Sequence, residues 1–180
     1  MALLPVHTAE GLADKPFSIL HLPSSLAADN PHFSPFTSHM SIGFTGGCAC
    51  GAIRYECTAE PMAMFHCHCR DCQRATGGPC TSIVMVPEAA FKLLQGSPRW
   101  HSTSSTAGGK LDRGFCSECG SPLLGRGELD GGNRFVGVHA ASLDDPGLFK
   151  PQMHIWTGDA QPWDHMNPAL PKFEQYPPSG

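Results

Sequence analysis

Between residues 52 and 59 the chain reads AIRYECTA, with Ile53, Tyr55 and Cys57 on one side and Arg54, Glu56 and Thr58 on the other. Successive side chains of an extended backbone point to opposite faces, so this alternation predicts a half-buried strand. Residues 82–86, SIVMV, form a continuous apolar run of strand length that Pro87 closes. Residues 88–94 predict a single helical turn, which Gly96 ends. Further strands are expected over 99–103, 110–116, 122–125 and 134–139, separated by Gly, Ser and Asp turns. The stretch 151–177 is rich in Pro, His and Trp and predicts irregular structure.

Residues 1–39 differ from the rest of the chain. They carry Pro5, Pro16, Pro23, Pro31 and Pro35, no cysteine and no sustained apolar period, which predicts a disordered or loosely docked extension. Residues 17–26 are apolar enough to dock as a short helix, limited by Pro16 and Pro23. Met40 directly precedes the cysteine-bearing part, and a further expectation is that translation naturally begins there. One domain is expected over 43–177, in keeping with the usual size of a single core.

Composition narrows the class. Apolar residues make up 41% of the chain, enough for an interior, while 20 Gly and 17 Pro favour short strands and turns over helices. Together these imply a mainly β fold. The formal charge of −4, with 12 Lys and Arg against 16 Asp and Glu and no basic cluster, argues against nucleic acid as a partner. Nor does any apolar run approach the roughly 18 residues of a membrane helix, and the start has no basic and apolar secretory pattern.

Nine cysteines would suit a disulfide framework in a small secreted chain, but the count is odd and their spacing points elsewhere. Cys-x-Cys and Cys-x-x-Cys pairs set two sulfurs on one tight turn, where they converge on a metal ion more readily than they bridge each other. Free thiolates persist in a reducing compartment, so a cytoplasmic protein is expected. GGCACG over 46–51 brings Cys48 and Cys50, and FCSECG over 115–120 brings Cys116 and Cys119. Four thiolates complete a tetrahedral zinc site, which would be closed and structural, with the glycines allowing positive φ in each knuckle. HCHCRDC over 66–72 brings Cys67, Cys69 and Cys72. Three thiolates leave one coordination position over, the mark of a catalytic zinc.

The remaining polar residues have plainer readings. Cys57 on an apolar strand face and Cys80 after Gly78 and Pro79 read as small buried hydrophobes, although either, or His66, His68 or His101, could instead close the second site. His66 and His68 flank the ligands and are candidate proton donors. Arg70 and Arg74 sit beside a group of negative sulfurs and are candidates to bind a substrate carboxylate, as are Arg54, Lys110 and Arg113.

The order CAC-G-x-I-R-Y, then CHC-x-x-C-x-R-x-x-G, then FC-x-x-CG-S resembles the glutathione-dependent formaldehyde-activating enzyme family, which is also linked to centromere protein V. The resemblance covers roughly residues 43–177 and fills every metal-ligand position of the family. It implies two zinc ions, one structural on Cys48, Cys50, Cys116 and Cys119, the other at the active site on Cys67, Cys69 and Cys72. It further implies several small antiparallel sheets around zinc with few helical turns, similar to translationally controlled tumour protein and the zinc-bearing methionine sulfoxide reductases. The implied reaction joins glutathione and formaldehyde in S-hydroxymethylglutathione, a carbon–sulfur lyase in reverse, with a small-molecule thiol and an aldehyde as partners. Two other readings stand beside it: a non-catalytic zinc module that binds a partner, and a redox enzyme using Cys80 or Cys57 as nucleophile.

Overall fold

A computed structural model describes residues 43–104, 109–129 and 132–177, and the expected extension over 1–39 lies outside them. In chain order the strands are β1 (Phe44–Gly47), β2 (Arg54–Cys57), β3 (Ala63–Cys67), β4 (Thr81–Pro87), β5 (Phe91–Gln95), β6 (Arg99–Ser104), β7 (Lys110–Phe115), β8 (Pro122–Glu128), β9 (Arg134–His139) and β10 (Met153–Ile155). One helix, α1 (Arg70–Thr76), interrupts them between β3 and β4. The fold is mainly β, as composition and patterning predict.

The strands make two sheets: three strands in the order β1-β2-β5, and seven in the order β10-β3-β4-β9-β8-β7-β6. Every neighbouring pair is antiparallel except β10 with β3, which run parallel. Alternation over 52–59 has the predicted outcome, since Ile53, Tyr55 and Cys57 are all buried. They meet Val84, Val86, Leu124, Val136 and Val138 of the larger sheet, so the core lies between the two sheets. These are the apolar faces that each sheet must remove from water.

Three expectations need correction. The helical turn expected over 88–94 is confined to Glu88–Ala90, and Phe91–Gln95 is a strand that pairs with β2. Edge pairing with β2 and burial of Phe91 against Tyr55 outweigh the local preference for a turn. The stretch from 151 onward, expected to be irregular, contributes β10 to the edge of the large sheet. Strand β3 and helix α1, which carry the second cysteine group, were not expected as elements. Among the described residues, no helix is long and apolar enough to cross a membrane.

Candidate metal centres

The first centre joins two knuckles. Cys48 N–H donates to the Ile53 carbonyl at 3.1 Å while the Ile53 N–H donates to the Cys48 sulfur at 3.2 Å. Across from it, Cys116 N–H donates to the Ser121 carbonyl and Gly120 N–H to the Cys116 carbonyl. Gly51 and Gly120 turn each knuckle with φ of 77° and 74°, a region that side chains with a Cβ avoid. The Cys48 and Cys50 sulfurs lie 3.5 Å apart, and those of Cys50 and Cys116 lie 3.8 Å apart. Sulfurs about 2.3 Å from a tetrahedral zinc would stand about 3.8 Å from one another, so the four thiols fit such an ion. Ser121 braces the group: its hydroxyl lies 3.1 Å from the Cys119 sulfur, which pulls that thiol down to about 6.

The second centre is assembled from a strand end, a connecting loop and a helix start. Cys67 is the last residue of β3, Cys69 caps α1 in an extended conformation, and Cys72 lies in its first turn. The Cys72 N–H donates to the Cys69 sulfur at 3.4 Å, so the cap itself turns a ligand toward the group. Gly77 ends the helix at φ 69° with its N–H on the Gln73 carbonyl. The sulfurs of Cys67, Cys69 and Cys72 all lie within 4.8 Å of one another, and no fourth His, Cys, Asp or Glu donor of the described residues joins them. Cys57, Cys80, His66, His68 and His101 therefore stay outside the trio.

Hydrogen bonds from Cys67 and Cys69 hold the Cys72 thiol down to about 3, while the reciprocal contacts with Cys69 and Cys72 push Cys67 far up. A divalent ion would release the remaining protons, the behaviour expected of a thiolate metal site.

A family model described as the glutathione-dependent formaldehyde-activating enzyme matches residues 43–159. The chain belongs to that family. The crystal structure of a Rhodobacter sphaeroides protein, obtained in structural genomics, is similar at 16% identity with a TM-score of 0.44, over 72% of this chain and 98% of that one. As a formaldehyde-activating enzyme family member, the chain keeps the expected division of its cysteines into groups of four and three.

Beside the first centre lies a cleft of about 490 Å³. Cys48 and Ser121 border it from the first centre, Thr76 of α1, Cys80, and Thr81 and Ser82 of β4 also line it, and His139 lies on its wall. Thr81 links cleft to ligand, for its hydroxyl donates to the Cys72 carbonyl at 3.3 Å. Ser82 links it to His66, with 2.9 Å between the hydroxyl and the imidazole Nδ1. Arg54 also reaches the cleft, but both of its terminal nitrogens are taken by Asp144. Cys80 is held protonated, its thiol pushed up to about 11 by burial and by Asp164 and Cys72.

The other candidate side chains surround the trio without joining it. His66 is half-buried, stacked on His154 at 5.0 Å, and burial lowers its affinity for a proton. His68 is buried, with Nδ1 2.5 Å from the Asp164 carboxylate and Nε2 2.8 Å from Nδ1 of His154. Arg70 is exposed and bonds the side chain of Gln73, and Arg74 lies 4.0 Å from Asp71 on the outer face of α1. Sequence reasoning missed Gln73, Thr81, His139, His154, Asp159 and Asp164. Gln73 stands inside the cysteine motif itself, whereas nothing in the sequence pairs Asp164 with a histidine 96 residues earlier.

Proposed function

We propose that this chain is a zinc-dependent carbon–sulfur lyase, acting in the synthetic direction on a small thiol such as glutathione and an aldehyde such as formaldehyde. The observation that carries this reading is the trio Cys67, Cys69 and Cys72, which has no fourth donor among the described residues and whose Cys72 carbonyl is held by Thr76 and Thr81 of a nearby cleft. A zinc ion bound by the trio would supply the positive charge that keeps an incoming thiol ionised near neutral pH, where a free thiol with a pKa of about 8.5 is mostly protonated. The group of four, Cys48, Cys50, Cys116 and Cys119, would hold a second zinc with a purely structural role.

The reaction forms one S–C bond and opens one C=O double bond. The proton lost by the thiol must finish on the aldehyde oxygen. His66, tied to the cleft through Ser82, is the group best situated to carry it. His68, with both nitrogens engaged inside the protein, serves instead to fix the loop between Cys67 and Cys69. Arg113 is our choice for a substrate carboxylate. Its positive charge bears on both Cys72 and His139, and its Nη1 is anchored on Thr103 at 2.8 Å.

The deciding experiment is metal-edge X-ray absorption on the zinc-replete chain, with and without glutathione. A gain of close to one sulfur shared over two zinc ions supports the reading. An unchanged first shell at saturating thiol overturns it.

A further inference from the structure

Seven residues of helix do not hold themselves together in water, because helix nucleation is costly and a single turn or two returns little. Yet α1 must present Cys72 at a fixed distance from Cys67 on β3 and from Cys69 between them. What fixes that loop is a segment from far along the chain. The His68 N–H donates to the Ile155 carbonyl at 3.0 Å, next to the parallel pairing of Ile155 with Cys67. The side-chain amide of Gln73, 5% exposed, donates to the His68 carbonyl at 2.5 Å and to the Asp159 carbonyl at 3.0 Å. Asp164 accepts from Nδ1 of His68, itself 1% exposed.

The segment that supplies these partners is held in turn. Its His154 and Thr157 N–H groups donate to Pro171 and Phe173, and Lys172 gathers the carbonyls of Asn167 and Leu170 at 3.1 Å and 3.2 Å. Trp156 sits at its bend with φ 58°, a left-handed conformation that a bulky residue adopts only where its surroundings hold it. Packing against the Cys67 and Cys69 cluster is what keeps it there.

We propose that residues 153–164 form a strap that shapes the three-sulfur loop for metal, and that Gln73 and Asp164 are its positioning residues. Neither offers an atom to the metal or the substrate. Gln73 instead locks the peptide of His68, the residue between two ligands, and Asp164 locks its imidazole, so that the sulfurs converge before an ion arrives. Outer partners of this kind govern metal affinity by orienting ligands. The first centre, built on other loops, does not depend on them. The inference rests on the reading that the trio holds a metal.

The test uses the full chain, loaded with zinc, as wild type and as Gln73→Leu, Asp164→Ala and Asp164→Asn. Metal per chain, the rate of zinc loss to a chelator and the thiolate-to-metal bands of the cobalt-substituted protein are measured, with thermal unfolding as a check on the fold. Wild type is expected to hold two equivalents. In Gln73→Leu and Asp164→Ala one equivalent should bind about 10- to 100-fold more weakly while the other keeps its wild-type release rate. Asp164→Asn should recover most of the loss, since its amide oxygen still accepts from His68 and the fold is preserved. Two equivalents released at wild-type rates from all three variants would overturn the strap alone, as would loss of both metals together from folded Asp164→Asn. A wild type that holds only one equivalent would overturn the metal reading of the trio and the strap with it.

Discussion

Tyr55 of the small sheet donates its hydroxyl to Ser142 at 2.7 Å, and Ser142 donates onward to the His139 carbonyl at the end of β9. The two sheets are thereby joined beside the cleft by a fully buried phenol. Gly46 makes that approach possible, for a Cβ there would collide with the Tyr55 hydroxyl and the Ser142 carbonyl. Gly46→Ala is therefore expected to destabilise the fold by roughly 3 kcal/mol, as overpacking does. Tyr55→Phe, which keeps the ring and drops one hydrogen bond, should cost about 1 kcal/mol. Urea midpoints of the two variants check the order.

Loss of a ligand should have different consequences at the two centres. Cys116 is 1% exposed and closes a link across 66 residues to Cys50, so Cys116→Ser is expected to release a metal and unfold much of the chain. Cys69→Ser should leave the sheets folded and abolish condensation of thiol and aldehyde. Near-ultraviolet circular dichroism alongside turnover separates the two outcomes.

Arg113→Gln tests carboxylate recognition. A charge-assisted hydrogen bond contributes about 1.5–3 kcal/mol, so KM for a thiol bearing carboxylates should rise at least about 10-fold with little change in kcat. For a thiol without carboxylates the two proteins should behave alike. Steady-state kinetics on one thiol of each kind gives the comparison.

His139 makes stability depend on pH. Burial, with Arg113 nearby, lowers its pKa from 6.5 to about 4 in the folded protein. Between those values the unfolded chain binds the proton and the folded chain does not, so stability rises with pH across that window and falls as the medium is acidified. The full difference is roughly 3 kcal/mol, nearly all of it already lost at pH 4. His139→Gln removes that contribution, and the difference between variant and wild-type denaturation midpoints should shrink or invert from pH 6.5 to pH 4.

Much of the molecule was legible in its sequence where chemistry is local. The alternation about Tyr55 and Cys57 specifies a strand because neighbours two apart share one face, and the glycines after Cys50 and Cys119 specify turns because only they take positive φ freely. The division of seven sulfurs into four and three came from spacing in the same way. Less legible was whatever depends on a partner far along the chain. Met153–Ile155 is three residues long and becomes a strand only beside β3. Phe91–Gln95 reads as a helical turn until β2 offers it a ladder. Helix α1 did carry a local signal, a glycine stop at Gly77, but its cap is a cysteine, which does not announce a helix start, and the cysteines drew attention to metal chemistry first.

The pairing of His68 with Asp164 across 96 residues also sets an order of assembly during synthesis. A chain leaves the ribosome at about 5–20 residues per second, so Cys119 emerges seconds before Asp164 does. All four sulfurs of the first centre are then available while the trio still lacks its support. A nascent chain would accordingly capture its architectural ion first and become competent for the second only after the later residues had emerged.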